Sequence, residues 1–542
     1  MFIDGRTVAK DTVIEAAVCI IGAGAAGITL ALSLRSAGFP VVVLESGDFE
    51  FDEATQALDA GEITGVPNYP LDTSRLRFFG GTTNHWAGWC RPLDTVDFQP
   101  RAAIPLSGWP FQRTVLEPYY EQAQSICELG PFQYDADYWI RQTGAATPKF
   151  DPARLKTAIF QVSPPTRFGP VYRDSLRRSE TVTVYLNANA LDLEANPTAS
   201  MVNRVKIGCL GGPGFFVQAK YFVLATGGLE NVRVLLLSNG VQPAGLGNAN
   251  DLVGRYFMDH PWFPRAAVAR FGAPDPSLPL LFGETDLHGT TVFGTLAPGD
   301  NDTDTHMADS GSADPDGGGF RIWLGKLHRV IDGIDSLKTV TGALSGLSVP
   351  AHLWNHLGNI LQDRDAVADS LYRTATGRPT SPFTPQMPTA GPVIGAVLDI
   401  NIEQAPNPAS RVTLSHDRDA LGQNRLVLNW QLSEIEKRTY RNAQASVALE
   451  FGRLGIGRVN SKPLPAHGWP DDMVGSRHHL GTTRMSDNPK LGVVDATCRV
   501  HGMSNLYIAG SSVFPTSGYA NPTLTIVALA LRLSDELRRQ MA

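Results

Sequence analysis

Three glycines near the start of the chain have a spacing that suits the binding of a diphosphate. Gly22, Gly24 and Gly27 form a Gly-x-Gly-x-x-Gly turn between an apolar strand pattern over 17–21 and a helical pattern over 28–37. The first glycine would permit a tight turn, the second would let the backbone approach a pyrophosphate, and the third would let helix and strand pack closely. The diphosphate would then lie at the positive N-terminus of the helix.

An acidic residue at the end of the next strand pattern completes a dinucleotide motif. The apolar run over 40–44 ends at Glu45, where a carboxylate would accept hydrogen bonds from a ribose hydroxyl and repel a 2′-phosphate. Strand, turn, helix, second strand and acid occur in the expected order. We therefore interpret the segment as an adenine dinucleotide site rather than a simple chain reversal. The motif alone leaves NAD and FAD as alternatives.

The composition is typical of a soluble globular protein with many shaped loops. The chain has 542 residues, 43% of them hydrophobic and 18% charged, which is enough for two lobes with substantial cores. Its net charge of -7 gives no basic surface for nucleic acid. The five cysteines have neither metal-site nor disulfide-framework spacing. No basic leader and no apolar stretch of membrane-spanning length is recognisable, so we expect a cytoplasmic protein that spans no membrane and holds no metal.

Changes in composition and hydrophobic pattern along the chain predict three segments. Residues 1–261 contain the dinucleotide motif and loops that would wrap the cofactor, and residues 262–475 contain alternating patterns typical of a second sheet. A polar insert at 298–319 is interpreted as a mobile loop or lid. Residues 476–542 again show the hydrophobic pattern of the first segment, and they end in a predicted helix over 522–537. We predict an α/β fold (α+β overall), with a Rossmann-like lobe built from discontinuous pieces and a sheet-based substrate-binding lobe.

Four stretches together resemble the glucose-methanol-choline (GMC) family of FAD-dependent oxidoreductases. They occur in the family's order and cover nearly the whole chain. They are the dinucleotide motif with 44–47, Gly-Gly-Thr-Thr-Asn-His-Trp at 80–86, Arg-Tyr-Phe-Met-Asp-His-Pro at 255–261 with 403–412, and His-His-Leu-Gly-Thr at 478–482 with 518–525. The resemblance implies FAD as the cofactor and the oxidation of an alcohol as the reaction.

The resemblance implies catalytic roles for two residues near the C-terminus. Oxidation of an alcohol removes a proton from oxygen and a hydride from carbon. His478 matches the family's catalytic histidine, and an imidazole suits a base near neutral pH. Asn521 matches a position that holds His or Asn, and it would orient the substrate oxygen because an amide cannot act as a base. The alternative for Asn521 is an N-cap of the final helix, with Pro522 at the first helical position.

The resemblance also implies a set of cofactor contacts. His85 matches the His-Trp pair of pyranose oxidases and bacterial FAD glucose dehydrogenases, and a covalent bond to the flavin 8α-methyl, a non-covalent flavin contact and plain packing stay open for it. Gly510 stands where many relatives have Asp, so backbone would supply that contact. We interpret Asp259 and His260 as structural. The predicted cofactor-binding residues are Gly22, Gly24, Gly27, Glu45, Gly80, Gly81, Thr82, Thr83, His85, Ala190, Gly510, Ser511 and Thr523.

The resemblance favours FAD-dependent oxidation of a sugar or glycoside hydroxyl, with His478 as the base and the hydride passing to flavin N5. Steroid or aryl alcohols are the second substrate class. A family lyase with a non-redox FAD is an alternative function, and an NAD-dependent or non-catalytic nucleotide-binding protein is a third, which a yellow purified protein would exclude. The electron acceptor, whether O₂, a quinone or an external redox protein, stays open, as do the oligomeric state and any accessory subunit.

Overall fold

A computed structural model describes most of the chain and all of the predicted site. The described residues are 1–144, 148–164, 166–275, 282–299, 318–326 and 393–542, with scattered positions between 337 and 360. The predicted loop or lid lies largely outside the described residues, at 300–317. Helices in the continuous ranges are α1 Ala25–Leu34, α2 Glu53–Gln56, α3 Glu117–Ile126, α4 Ala136–Thr143, α5 Phe168–Arg177, α6 Gly227–Leu237, α7 Glu434–Arg453 and α8 Thr523–Met541.

The glycine turn belongs to a mainly parallel first sheet. Its apolar strands are buried, as expected of strands covered on both faces. In spatial order the strands are β1 Phe2–Asp4, β7 Val182–Leu186, β3 Val41–Leu44, β2 Val13–Ile21, β10 Gly212–Leu224, β9 Val202–Cys209 and β8 Asn189–Ala195, with β19 Leu506–Ile508 beside β10. Strands β1, β7, β3 and β2 each pair in parallel with the next strand in this spatial order, up to β10, and β19 pairs in parallel with β10. Strands β10, β9 and β8 form an antiparallel meander.

A second, antiparallel sheet and a small third sheet complete the architecture. The second sheet has the spatial order β18 Gly457–Ser461, β11 Trp262–Asp275, β15 Val393–Ile402, β14 Phe320–Lys326, β13 Thr290–Pro298, β6 Leu155–Val162 and β5 Trp89–Cys90, with β12 Thr285–Leu287 beside β13. The third sheet contains β16 Arg411–Arg418, β17 Asn424–Trp430 and β4 Gly61–Gly65. The mixed α/β architecture predicted from the sequence is confirmed.

Distant parts of the chain are joined in both large sheets. The segment before residue 261 contributes β5 and β6 to the second sheet, and the C-terminal segment contributes β19 to the first. Helix α8 lies against α1, where the hydroxyls of Ser33 and Ser534 are 2.7 Å apart and Arg538 donates to the Ser33 carbonyl. The three-segment division remains a prediction. Within the described ranges, no helix is long and apolar enough to cross a membrane.

Candidate active site

A cleft of about 520 Å³ brings together the C-terminal edge of the first sheet and one face of the second. Its volume is in the range usual for cofactor and ligand sites. Gly27 and Gly80 are not among the residues of its wall. The other predicted site residues all line it, namely Gly22, Gly24, Glu45, Gly81, Thr82, Thr83, His85, Ala190, His478, Gly510, Ser511, Asn521 and Thr523.

The three glycines of the β2–α1 turn meet different surroundings. Gly22 has a φ of +104°, and a Cβ there would lie 2.6 Å from the Ala225 carbonyl oxygen. A Cβ at Gly27 would lie 1.8 Å from the Gly22 carbonyl oxygen, so helix and strand could not pack as they do. At Gly24 a Cβ would meet nothing within 4 Å. The open space beside the α1 N-terminus suits a diphosphate, which a side chain would crowd out.

Glu45 is held in place by two backbone amides. Its Oε2 accepts the N–H of Ala23 at 2.9 Å, and its Oε1 accepts the N–H of Gly47 at 3.0 Å. Burial raises the pKa of Glu45, while these amides and the Arg77 charge act in the opposite direction. A carboxylate oxygen has two acceptor sites, so each oxygen can still accept one hydroxyl of a ribose.

The 80–85 stretch begins with two glycines in the left-handed region and ends at His85. Thr83 stabilises the turn, since its Oγ1 donates to the Gly80 carbonyl at 2.6 Å and accepts the Phe168 N–H at 3.2 Å. The His85 ring faces the cleft, and within the described part of the chain it has no hydrogen-bond partner. Burial, with the charges of Arg477 and Arg167, lowers the pKa of His85 to about 4, so the ring is neutral near pH 7.

A chain of hydrogen bonds sets the tautomer of His478. The Nε2 of buried His260 lies 2.8 Å from the Gly518 carbonyl, which can only accept, so this nitrogen carries the proton. The Nδ1 of neutral His260 must therefore accept, and the Nδ1 of His478, 2.7 Å away, donates to it. The remaining nitrogen of His478, Nε2, keeps its lone pair.

Both histidines are neutral near pH 7. Burial lowers the pKa of His478 well below its usual value, and the positive charge of Arg321 lowers it further. Burial and Arg321 lower the pKa of His260 to about 4. The lone pair on His478 Nε2 is thus present under ordinary conditions.

Asp259 fixes the backbone around both histidines. Its buried Oδ1 accepts the N–H groups of His260 at 2.7 Å, Ser476 at 3.0 Å and His478 at 2.9 Å. The sequence predicts a structural role for Asp259 and His260 and does not indicate the contact between His260 and His478. That contact joins residues 218 positions apart, and no local pattern indicates it.

Asn521 bridges His478 and Arg321, a residue outside the motifs recognised in the sequence. Its Nδ2 is 3.3 Å from the Nε2 of His478, and its Oδ1 accepts a hydrogen bond from Arg321 Nη1. These partners fix the orientation of the amide. The structure does not support the N-cap alternative, because Pro522 occupies the cap position of α8 and, among the described residues, no side chain caps the backbone N–H groups of its first turn. Arg321 lies on β14, a strand outside the predicted patterns.

Two family models match separate parts of the chain. Residues 17–396 match the family model described as FAD dependent oxidoreductase, and residues 406–530 match the model described as GMC oxidoreductase. The 2-methyl-1,2-propanediol dehydrogenase of Mycolicibacterium austroafricanum is 23% identical over 97% of this chain and 95% of its own length. The fructose dehydrogenase large subunit of Gluconobacter japonicus is 26% identical over 59% of this chain, and the match covers 47% of that protein.

A solved structure shares the fold. The pyridoxine 4-oxidase of Mesorbium loti superposes with a TM-score of 0.55 at 15% sequence identity, over 96% of this chain and 98% of that one. At this identity the likeness shows the fold alone.

Proposed function

Because the chain belongs to the GMC oxidoreductases, which are FAD-dependent, we propose that it oxidises a hydroxyl group of a sugar or glycoside with His478 as the base. The observation that carries the proposal is the lone pair of His478 Nε2, held beside the Asn521 amide in the cofactor cleft. Two of the matched relatives are named as dehydrogenases of 2-methyl-1,2-propanediol and of fructose, and both names support a substrate that carries a hydroxyl group.

In this proposal two side chains of the protein handle the hydroxyl group. His478 Nε2 takes the hydroxyl proton, and Asn521 Nδ2 donates a hydrogen bond to the substrate oxygen. FAD, when bound, supplies the acceptor for the hydride that leaves the carbinol carbon. The Nδ1 proton of His478 stays on the bond to His260 throughout, so the ring keeps its orientation while Nε2 gains and loses a proton.

The contacts proposed for FAD follow the wall of the cleft. The backbone at Gly22 and Gly24 and the N-terminus of α1 would hold the diphosphate, and Glu45 would hold the adenosine ribose. Gly27 and Gly80 would act by shaping the chain, since neither lines the cleft. The remaining proposed contacts are Gly81, Thr82, Thr83, His85, Ala190, Gly510, Ser511 and Thr523.

For His85 we propose a contact on the flavin side of FAD. A neutral ring without a hydrogen-bond partner in the described residues is compatible with a covalent or a non-covalent contact. Precipitation of the holoenzyme with acid separates the two: covalent flavin stays with the pellet, and His85→Ala then releases it.

The test of the proposed base is His478→Ala. We expect the rate constant for flavin reduction by an alcohol substrate, measured without oxygen, to fall about 10²–10⁴-fold. Bound FAD, measured from its absorbance, should be retained. An unchanged rate constant would reject His478 as the base, and product formation without any flavin bleaching would favour the lyase alternative.

The acceptor and the location are also proposals. O₂, a quinone and an external redox protein are the candidate acceptors, and comparing the reoxidation rates of the reduced holoenzyme by O₂ and by a quinone distinguishes them. We propose a cytoplasmic location, which the five free and buried cysteines support, because thiols persist in a reducing compartment. Cell fractionation tests it.

A further inference from the structure

Arg321 is a buried cation that faces the cleft beside the proposed base. Its side chain is 1% exposed and lines the cleft together with His478 and Asn521. Nη1 donates to Asn521 Oδ1, while Nε and Nη2 have no acceptor among the described residues. The guanidinium carbon lies 4.7 Å from the ring centroid of Trp323 and 5.2 Å from that of Phe160. Three donors or more therefore lack an acceptor in the described part of the chain, at the wall of the cleft.

Other buried arginines of this protein differ from Arg321 in their partners. Arg101 is paired with Glu403, Arg233 with Asp419 at 2.6 Å and Arg91 with Asp94 at 2.7 Å. Arg484 also lacks a carboxylate in the described residues, but it lies away from the cleft wall and donates to the Leu106 carbonyl.

A buried charge without a counter-ion is unfavourable, and the two aromatic rings offset only part of the cost. Burial accordingly lowers the pKa of Arg321 to about 9, and no carboxylate of the described residues opposes this effect. An anion entering the cleft would supply the carboxylate partner that Arg321 lacks among the described residues. The guanidinium presents a planar pair of N–H donors. This geometry matches the two oxygens of a carboxylate better than the single charge of an ammonium group does.

Building on the function proposed above, we propose that the substrate alcohol carries a carboxylate, which Arg321 binds while the hydroxyl lies at His478. The Asn521 amide limits the distance between the two groups, since its oxygen contacts Arg321 and its nitrogen contacts His478. The carboxylate must then lie within a few bonds of the carbinol carbon. The substrate class is a hydroxy acid, and among sugars an acidic sugar.

The experiment compares matched pairs in which a carboxylate replaces a neutral group. Glycolate is paired with ethylene glycol, lactate with 1,2-propanediol, glycerate with glycerol and glucuronate with glucose. With the holoenzyme and without oxygen, we expect at least one acid to reduce the flavin with a rate constant over Kd about tenfold or more above its neutral partner. Arg321→Gln should lower this value for the acid about 10²-fold and change the neutral partner only a few-fold. Arg321→Lys, which keeps the charge, should retain part of the preference.

Binding without turnover gives an independent readout. Acetate, propionate and malonate carry a carboxylate but no hydroxyl, and their Kd is measured from the change in the flavin absorption spectrum. We expect Arg321→Gln to raise the Kd of the best of them at least tenfold. The matched control is Arg204→Gln, which removes a partly exposed arginine on β9 that pairs with Glu194. It should leave this Kd unchanged.

The two proposals fail in different ways. If no alcohol, neutral or acidic, reduces the flavin, the oxidation of alcohols is rejected. If neutral alcohols reduce the flavin while carboxylates neither reduce it nor bind, the carboxylate inference is overturned. Equal slowing of acidic and neutral partners in Arg321→Gln would also overturn it, because the guanidinium would then act only through Asn521 or on the cofactor. If Arg321→Gln does not fold, the carboxylate inference is tested by the preference of Arg321→Lys for acids and by the Kd of carboxylates for the wild-type protein.

Discussion

The Nδ1 atoms of His260 and His478 share a hydrogen bond of 2.7 Å, which leaves the Nε2 lone pair of His478 beside Asn521. We expect His260→Phe to slow anaerobic flavin reduction about 10 to 10²-fold, because His478 loses the acceptor that fixes its tautomer. His260→Asn places an oxygen near the lost Nδ1 and should recover much of the rate. Stopped-flow absorbance measures both variants. A purely structural role predicts that the two variants lose stability without this difference in rate constant.

The pH dependence of flavin reduction should reflect the lowered pKa of His478. Burial, His260, Arg321, His479 and Arg477 all lower this pKa below 6.5. The neutral ring is the proposed base, and it stays neutral as the pH falls past 6.5. We therefore expect a constant rate of flavin reduction from about pH 8 down to about pH 6.5, and a loss of rate only at lower pH. Arg321→Gln removes one positive charge and should move the acid limb to higher pH. A wild-type limb centred near pH 6.5 would contradict the prediction.

Two substitutions in the glycine turn should have opposite effects on folding and on cofactor binding. Gly24→Ala adds a Cβ that meets no protein atom within 4 Å, so the apoprotein should keep its Tm while its Kd for FAD rises at least about tenfold. Gly27→Ala places a Cβ 1.8 Å from a carbonyl oxygen and should destabilise the apoprotein by about 1–3 kcal/mol or more. Thermal unfolding and FAD titration of the apoproteins measure the two effects. Similar Tm values for both variants would count against the packing role of Gly27.

The Glu403 carboxylate should be sensitive to the loss of Arg101. Burial alone would raise the pKa of Glu403, but Arg101 and the N–H groups of Gly319 and Gly518 bring it below its usual value. Arg101→Met would leave that charge unpaired and should lower the free energy of unfolding by about 3–5 kcal/mol. Gly518 also accepts from His260, so flavin reduction should slow as well.

A surface ion pair provides the control for Arg101→Met. Arg113 and Glu117 are 3.9 Å apart and partly exposed, so Arg113→Met should cost less than about 1 kcal/mol. Urea unfolding of the holoenzymes measures both variants. Equal small losses would show that Glu403 is stable without its arginine.

The sequence predicts what depends on neighbours along the chain. The β2–α1 turn follows from glycine spacing and hydrophobic period, and the expected final helix is found as α8. The position of His478 and Asn521 in one cleft was expected from the family resemblance. Arg321 was missed, because an arginine within the apolar strand β14 carries no local sign of which residues it meets across the cleft. An unexplained charge inside such a strand is the signal that could have identified it.

The start of α8 shows why a local sequence pattern can mispredict the partner of a side chain. Asn521 followed by Pro522 is a favourable start of a helix in isolation, yet Arg321, 200 residues earlier, takes the amide oxygen instead. A hydrogen bond to a buried cation outweighs a cap, and only the folded chain brings that cation near.

The order in which the cleft is built has a consequence for biosynthesis. Its wall begins at Ile21 and ends at Ile526, and α8 closes on α1 through Ser33 and Ser534. The proposed diphosphate site is therefore synthesised long before the proposed base His478 and the Asn521 amide. A nascent chain can capture the adenosine end of the cofactor at most, and secure loading must wait until α8 has left the exit tunnel.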